Sequence, residues 1–151
     1  MLDLVHFVHI AGATVFVGSV VFFDWAVGGA LARMTPEARK SAAHAIRPFS
    51  GPIIMGSLAV TLLAGIARLF LSGAVTGWAD LFSGYAGRAI LALVIVIASE
   101  GLAAPFRKHM RAGIDTLDDS AFLLWWKRYR SLNALVLAAV LLLMVSMRLG
   151  W

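Results

Sequence analysis

Four apolar stretches divide this chain, running roughly from Leu4 to Ala32, Phe49 to Leu71, Ala86 to Ala104 and Leu132 to Leu149. Each is near or above the ~20 residues a helix needs to cross the hydrocarbon core of a bilayer. Backbone polar groups in lipid must be satisfied within the segment itself, and runs of this length achieve that as helices. Little is left over for a soluble surface. Of the 151 residues 61% are hydrophobic and 14% charged, against about 45–50% and about 25% in soluble domains. Mean hydropathy is +0.88. The sequence predicts an all-α membrane protein, one integral membrane domain over residues 1–151, built as an antiparallel four-helix bundle in contact with the lipid bilayer. The first run lacks a basic n-region and a small-residue cleavage site, so it reads as a retained helix rather than a signal peptide.

The connections are informative. MTPEARKSAAHAIRP offers Thr35 as an N-cap, Pro36 at the first helical position and Glu37 in the first turn. It predicts a short amphipathic helix on the membrane surface, with Pro48, Gly51 and Pro52 bending the chain into the second span. SGAVTGWADLFSGYAG reads as a loop with Trp78 and Tyr85 at the interface. DTLDDSAFLLWWKRYRS predicts a helix that starts near Ser120 and runs into the fourth span, with Trp125 and Trp126 at headgroup level.

Charge sets orientation. The net charge is +5, and the basic residues cluster between apolar runs, as in membrane-protein loops, which gives no reason to expect a nucleic-acid partner. Arg33, Arg39, Lys40 and Arg47 lie between spans one and two. Arg107, Lys108, Arg111, Lys127, Arg128 and Arg130 lie between spans three and four. The second connection has no basic residue between Arg68 and Arg88. The positive-inside rule then puts both termini outside. There is no cysteine, which excludes disulfides, thiolate metal sites and thiol catalysis.

Polar residues within the spans fall into two layers. Near the outer surface lie His6, His9, Arg68, Arg88, Arg148, Met144 and Met147. Nearer the inner surface lie Asp24 and Glu100, flanked by His44 and His109, with Asn133 entering from span four. Eighteen residues at 100° each return a helix to its starting direction, so His6 and Asp24 point the same way, and His9 lies about 60° from Asp24. Ser57, Thr61, Gly65 and Arg68 share a stripe of span two, and small residues there favour close approach of span one. Each feature has a plain alternative. Terminal histidines can sit among headgroups, arginines can snorkel to the interface, and methionines can simply pack. Asp24 and Glu100 are harder to dismiss, because a carboxylate in the bilayer core costs roughly 2.5–3.5 kcal/mol on insertion scales and needs a partner or water. They are candidates for a proton path, or for hydrogen bonds that fix packing.

VHIAGATVFVGSVVFF, then HAIRPFSGPIIMGSLAVTLLAGIARL, then GRAILALVIVIASEG resemble, over about the first 105 residues, the bacterial CopD-like membrane proteins and the related HemJ-type protoporphyrinogen oxidases. The resemblance implies a small multi-pass protein of the bacterial inner membrane, with His9 as the early-span histidine and Arg88 as the basic residue opening span three. HemJ-type members bind haem b and oxidise protoporphyrinogen, so a membrane oxidoreductase is implied. The chain departs from the HemJ pattern at GYAGRA, where a tryptophan, a histidine and a lysine are usual, and at FFDWAVGG, which replaces a late proline–arginine pair.

The chemistry of haem b suits the outer layer. Neutral imidazole from His9, then His6, can ligate iron, with methionine as a possible axial partner. Arg88, Arg68 and Arg148 can pair with propionates. Gly12, Ala13, Gly18 and Gly65 offer room for a ring. The copper alternative adds Met144 and Met147 as thioether ligands of Cu(I), but a cationic rim repels a metal cation and attracts an anionic cofactor. A third reading is a non-catalytic membrane subunit or anchor, in a homo-oligomer or with other membrane subunits.

Overall fold

The computed structural model describes residues 1–82 and 84–149, without the side chain of Arg148. It contains four helices long and apolar enough to cross a membrane. We number them α1 (Leu2–Leu31), α2 (Pro36–Leu71), α3 (Gly84–Asp115) and α4 (Asp119–Leu149). They form the all-α four-helix architecture the apolar runs predict. Lipid accounts for their outward faces: Phe7, Leu63, Leu135 and Leu142 are all exposed, and few residues of any span are buried inside the protein.

Helix α1 is interrupted. Leu2–Val21 is α-helical, Phe22–Val27 forms a π turn, and Gly28–Leu31 resumes the α-helix. Such turns arise where an outside group enters the backbone ladder. Here Trp126 Nε1 of α4 donates to the Asp24 carbonyl at 3.2 Å. Gly28 makes this possible, since a Cβ there would collide with the Trp126 indole.

Helix α2 corrects an expectation. Thr35 caps it, accepting from Ala38 N at 3.4 Å, with Pro36 at the start and Glu37 in the first turn. It then continues without a break through Pro48 and Pro52 to Leu71. There is no separate surface helix. At 1.5 Å per residue α2 is about 54 Å long, well beyond a ~30 Å hydrocarbon core. Pro48, Phe49, Gly51 and Pro52 are exposed, so the carbonyls freed by the prolines face outward, where water or headgroups satisfy them. Likewise α3 runs on through Pro105 to Asp115.

A tight turn joins α3 to α4. Asp118 N donates to Gly113 O at 2.8 Å and Leu117 N to Ile114 O at 3.3 Å. These two bonds close the end of α3 as a Schellman motif. Its left-handed position is filled by Leu117, at φ 59, where glycine is usual. Asp118 then caps α4, accepting from Ala121 N at 3.0 Å and Ser120 Oγ at 2.8 Å. The Ala121 backbone bond, with help from Ser120, holds its carboxyl below the usual carboxylate range.

Helices α1 and α2 pack closely, and so do α3 and α4. Contact between the two hairpins is sparse. The α1–α2 seam is tightest at Gly12, where a Cβ would lie 2.9 Å from Thr61 Oγ1. Spans one and two therefore do meet along their small and polar residues. The buried or half-buried positions of α1 step through Val5, His9, Ala13, Val17, Val20, Asp24 and Gly28. Four-residue steps overshoot a turn by about 40° each. The stripe consequently drifts off His6, which is exposed; the shared direction of His6 and Asp24 on an ideal wheel does not place them in one environment.

The best-buried cluster lies where the α3–α4 turn meets the end of α1. Ile114, Phe122 and Trp126 pack there with Leu31, Ala32 and Met110. Arg39 is buried at its edge, 2% exposed. Its Nε donates to Leu31 O at 2.8 Å and its Nη2 to Met34 O at 3.0 Å. Its Nη1 pairs with Asp119, and its guanidinium lies 4.4 Å from the Phe122 ring centroid. One side chain thus ties the end of α1 and the start of α2 to the start of α4.

Candidate functional site: a cleft between the hairpins

Where the two hairpins fail to close on each other they leave a cleft lined by all four helices, with a cavity of about 180 Å³. Its walls are mostly apolar, and polar side chains gather at its two ends. The Met144 and Asn133 positions of α4, one near each end, are about 16 Å apart along the helix axis.

At the first end His9, Arg68, Tyr85, Met144 and Met147 line the cleft. His9 Nδ1 lies 2.8 Å from the Thr61 carbonyl oxygen. A carbonyl only accepts, so Nδ1 carries the proton in this contact, and in the neutral ring Nε2 keeps its lone pair. Gly65 permits the arrangement: a Cβ there would stand 3.0 Å from His9 Cε1. Arg68 Nη1 donates to Tyr85 Oη at 2.8 Å, which fixes a cation in the lining of the same cleft.

At the other end Ser99, Glu100, Tyr129 and Asn133 line the cleft. Glu100 Oε2 pairs with Arg107 Nη1 at 2.9 Å, and the Arg107 guanidinium lies 5.9 Å from the Tyr129 ring centroid. Asn133 Nδ2 donates to Asp24 Oδ2 at 2.6 Å. Asp24 is buried behind Asn133, in the π turn, and Arg130 stands close by, over the Trp25 and Trp126 rings at 4.4 and 4.8 Å.

Several expected site residues therefore share one cleft: His9, Arg68, Met144, Met147 and Glu100. Others do not. His6 is exposed and does not line it. Arg88 does not line it either; its Nε is buried without a hydrogen-bond partner among the described residues. The Arg148 side chain lies outside the described residues. Of the glycines expected to make room for a ring, Gly12 is used against Thr61 and Gly18 is exposed, with open space beside it. Asp24 and Glu100 each have their own partner. His44 turns to Asp115 at 3.0 Å, and His109 stacks on Trp125 at 4.6 Å, so neither histidine serves those carboxylates.

Tyr85, Tyr129 and Arg107 were not foreseen as site residues. A signal existed for one of them: Glu100 and Arg107 are two turns apart on one helix, a spacing that returns nearly to the same face. No group of three or more histidine and carboxylate side chains able to hold a metal ion occurs among the described residues. No protein-family model, curated protein or solved structure matches the chain.

Proposed function

We propose that this is a multi-pass membrane protein that holds haem b at His9 and serves a redox reaction, as the resemblance to CopD-like and HemJ-type proteins implies. One observation carries the reading. His9 gives its Nδ1 proton to a backbone carbonyl, the outer-shell bond that typically orients a metal-ligating histidine through its other nitrogen. The surrounding donors suit the group. Arg68 is a fixed cation for a propionate, and Met144 and Met147 are thioethers within the same cleft. The cleft is open between the hairpins, and a tetrapyrrole held by His9 would enter there.

Haem iron, when bound, supplies one-electron chemistry. The protein's own part is to orient the imidazole through Thr61, to place Arg68 through Tyr85, and to exclude water with apolar walls. Glu100 in the cleft and Asp24 behind Asn133 are the groups through which protons would reach the far end. Substituting Asp24→Asn or Glu100→Gln tests that role, because each keeps shape and removes titration.

The decisive measurement is the absorption spectrum of the purified protein. We expect a Soret band that His9→Ala abolishes and that His6→Ala, His44→Ala and His109→Ala leave in place. Full haem occupancy in His9→Ala overturns the assignment. Stoichiometric copper without iron favours a copper-handling role based on His9, Met144 and Met147. Absence of both favours a membrane subunit or anchor.

We further propose that the His9 end faces the outer side of a bacterial inner membrane. The ten basic residues of the first and third connections against none between Arg68 and Arg88 support this. Reporter fusions after Ser72 should read outside, and fusions after Ala112 should read inside. The reverse pattern moves the His9 end to the cytoplasmic surface.

A further inference from the structure

The second polar end of the cleft has a character of its own. Its charge is closed off: the Glu100 carboxylate that lines it is matched by Arg107 at 2.9 Å. Its hydrogen-bonding capacity is not. Asn133 spends one N–H on Asp24 and retains a second N–H and its carbonyl. Glu100 has a second carboxylate oxygen, and the Tyr129 hydroxyl, whose oxygen accepts from Arg107, keeps its own O–H to donate. These groups stand at the foot of walls made by Val20, Leu58, Leu93, Val96 and Val136.

We propose that this end binds the head of a membrane-dissolved quinone or quinol: a neutral six-membered ring bearing oxygens, its isoprenoid tail lying along the apolar cleft toward the lipid. Four features select this class. A charged head would leave a buried charge without a counterpart once Glu100 and Arg107 have satisfied each other. Carbonyl or hydroxyl oxygens find both donors and acceptors in Asn133, Tyr129 and Glu100. The cleft, at about 180 Å³ over its whole length, leaves room at one end for a single ring and no larger system. The walls and the opening between the hairpins suit an apolar body arriving from the bilayer. The inference uses this end of the cleft alone and stands whether or not His9 carries iron.

The test is equilibrium binding of a radiolabelled short-tailed benzoquinone to the purified full-length protein in detergent, with an alkylbenzene of equal tail length as competitor. We expect saturable binding that the alkylbenzene displaces at least tenfold more weakly than unlabelled quinone. Tyr129→Phe and Glu100→Gln, checked for unchanged helicity, should each weaken binding about tenfold, the usual worth of one buried hydrogen bond. The exposed His6→Ala, outside the cleft, should bind within about twofold of the parent. The assay reads quinone binding itself and needs no iron, which keeps this proposal separate from the haem reading. Two results overturn it: an alkylbenzene that competes as well as the quinone, which reduces the cleft to a general lipid groove, or wild-type binding by both Tyr129→Phe and Glu100→Gln.

Discussion

Replacing Arg39 by alanine should lower the unfolding free energy of the detergent-solubilised protein by about 3 kcal/mol, the largest loss we expect from any basic residue of the chain. The side chain is 2% exposed and serves three segments at once. Its removal takes one of two donors from the Leu31 carbonyl, which keeps Met34 N, and the guanidinium from the Met34 carbonyl, leaves Asp119 without its cation, and opens a gap beside Phe122. Buried acceptors left unpaired cost about 1–3 kcal/mol each where water cannot reach them, and breaking a buried ion pair costs about 3–5. Asp119 is 55% exposed, which keeps the sum at the lower end. Arg39→Lys should recover less than half of the loss, because one ammonium cannot span positions that a guanidinium fork reaches together. Arg33→Ala, exposed and on the same connection, should change stability by no more than about 0.5 kcal/mol. Denaturant titration followed by circular dichroism separates these outcomes. Equal effects of Arg39→Ala and Arg33→Ala would show that the clamp contributes nothing.

The second large effect concerns a methyl group. In Gly113→Ala the new Cβ would stand 2.7 Å from the Phe122 backbone nitrogen and 3.2 Å from Asp118 O. Those atoms belong to the cap and first turn of α4 and cannot swing aside as a side chain can. Overpacking of this kind costs typically about 1–3 kcal/mol, and here we expect the upper half of that range. Gly101→Ala on the same helix meets nothing within 4 Å. It should be stabilising, by up to about 1 kcal/mol, since alanine is the better helix former. Opposite signs from two identical substitutions on α3 would locate the tight α3–α4 turn experimentally. A neutral Gly113→Ala would mean that α4 can retreat without loss.

How much of this was legible beforehand can be judged residue by residue. The four spans, the Thr35 cap, the helix start at DTLDD and the meeting of spans one and two were readable, because hydropathy, capping and small-residue spacing are local signals. The continuation of α2 through Pro48 and Pro52 was not. Proline's cost depends on whether the freed carbonyls find water, and that depends on which face the neighbouring helix covers. Arg39 looked like one more topogenic charge; only the arrival of Asp119 and Phe122 from 80 residues further on buries it. The stripe through His6 was lost because an ideal wheel ignores how packed helices drift. For the candidate site, composition and depth pointed to His9, Arg68, Glu100 and both methionines and to their separation into two layers, yet not to how the inner layer is paired. Glu100 pairs with Arg107 along one helix, whereas no spacing rule within one helix reveals the bond of Asn133 to Asp24.

The sparse contact between the hairpins has a consequence for the life of the protein in a cell. The hairpins are tied to each other chiefly at one end, through Arg39, Asp119, Phe122 and Trp126, and the cleft exists only while they are docked. A ligand that occupies the cleft binds the docked state and not the separated one, so it adds to the docking free energy by mass action, about 2.7 kcal/mol at a hundredfold excess over its dissociation constant. Abundance of the protein in a cell would then respond to the supply of that ligand.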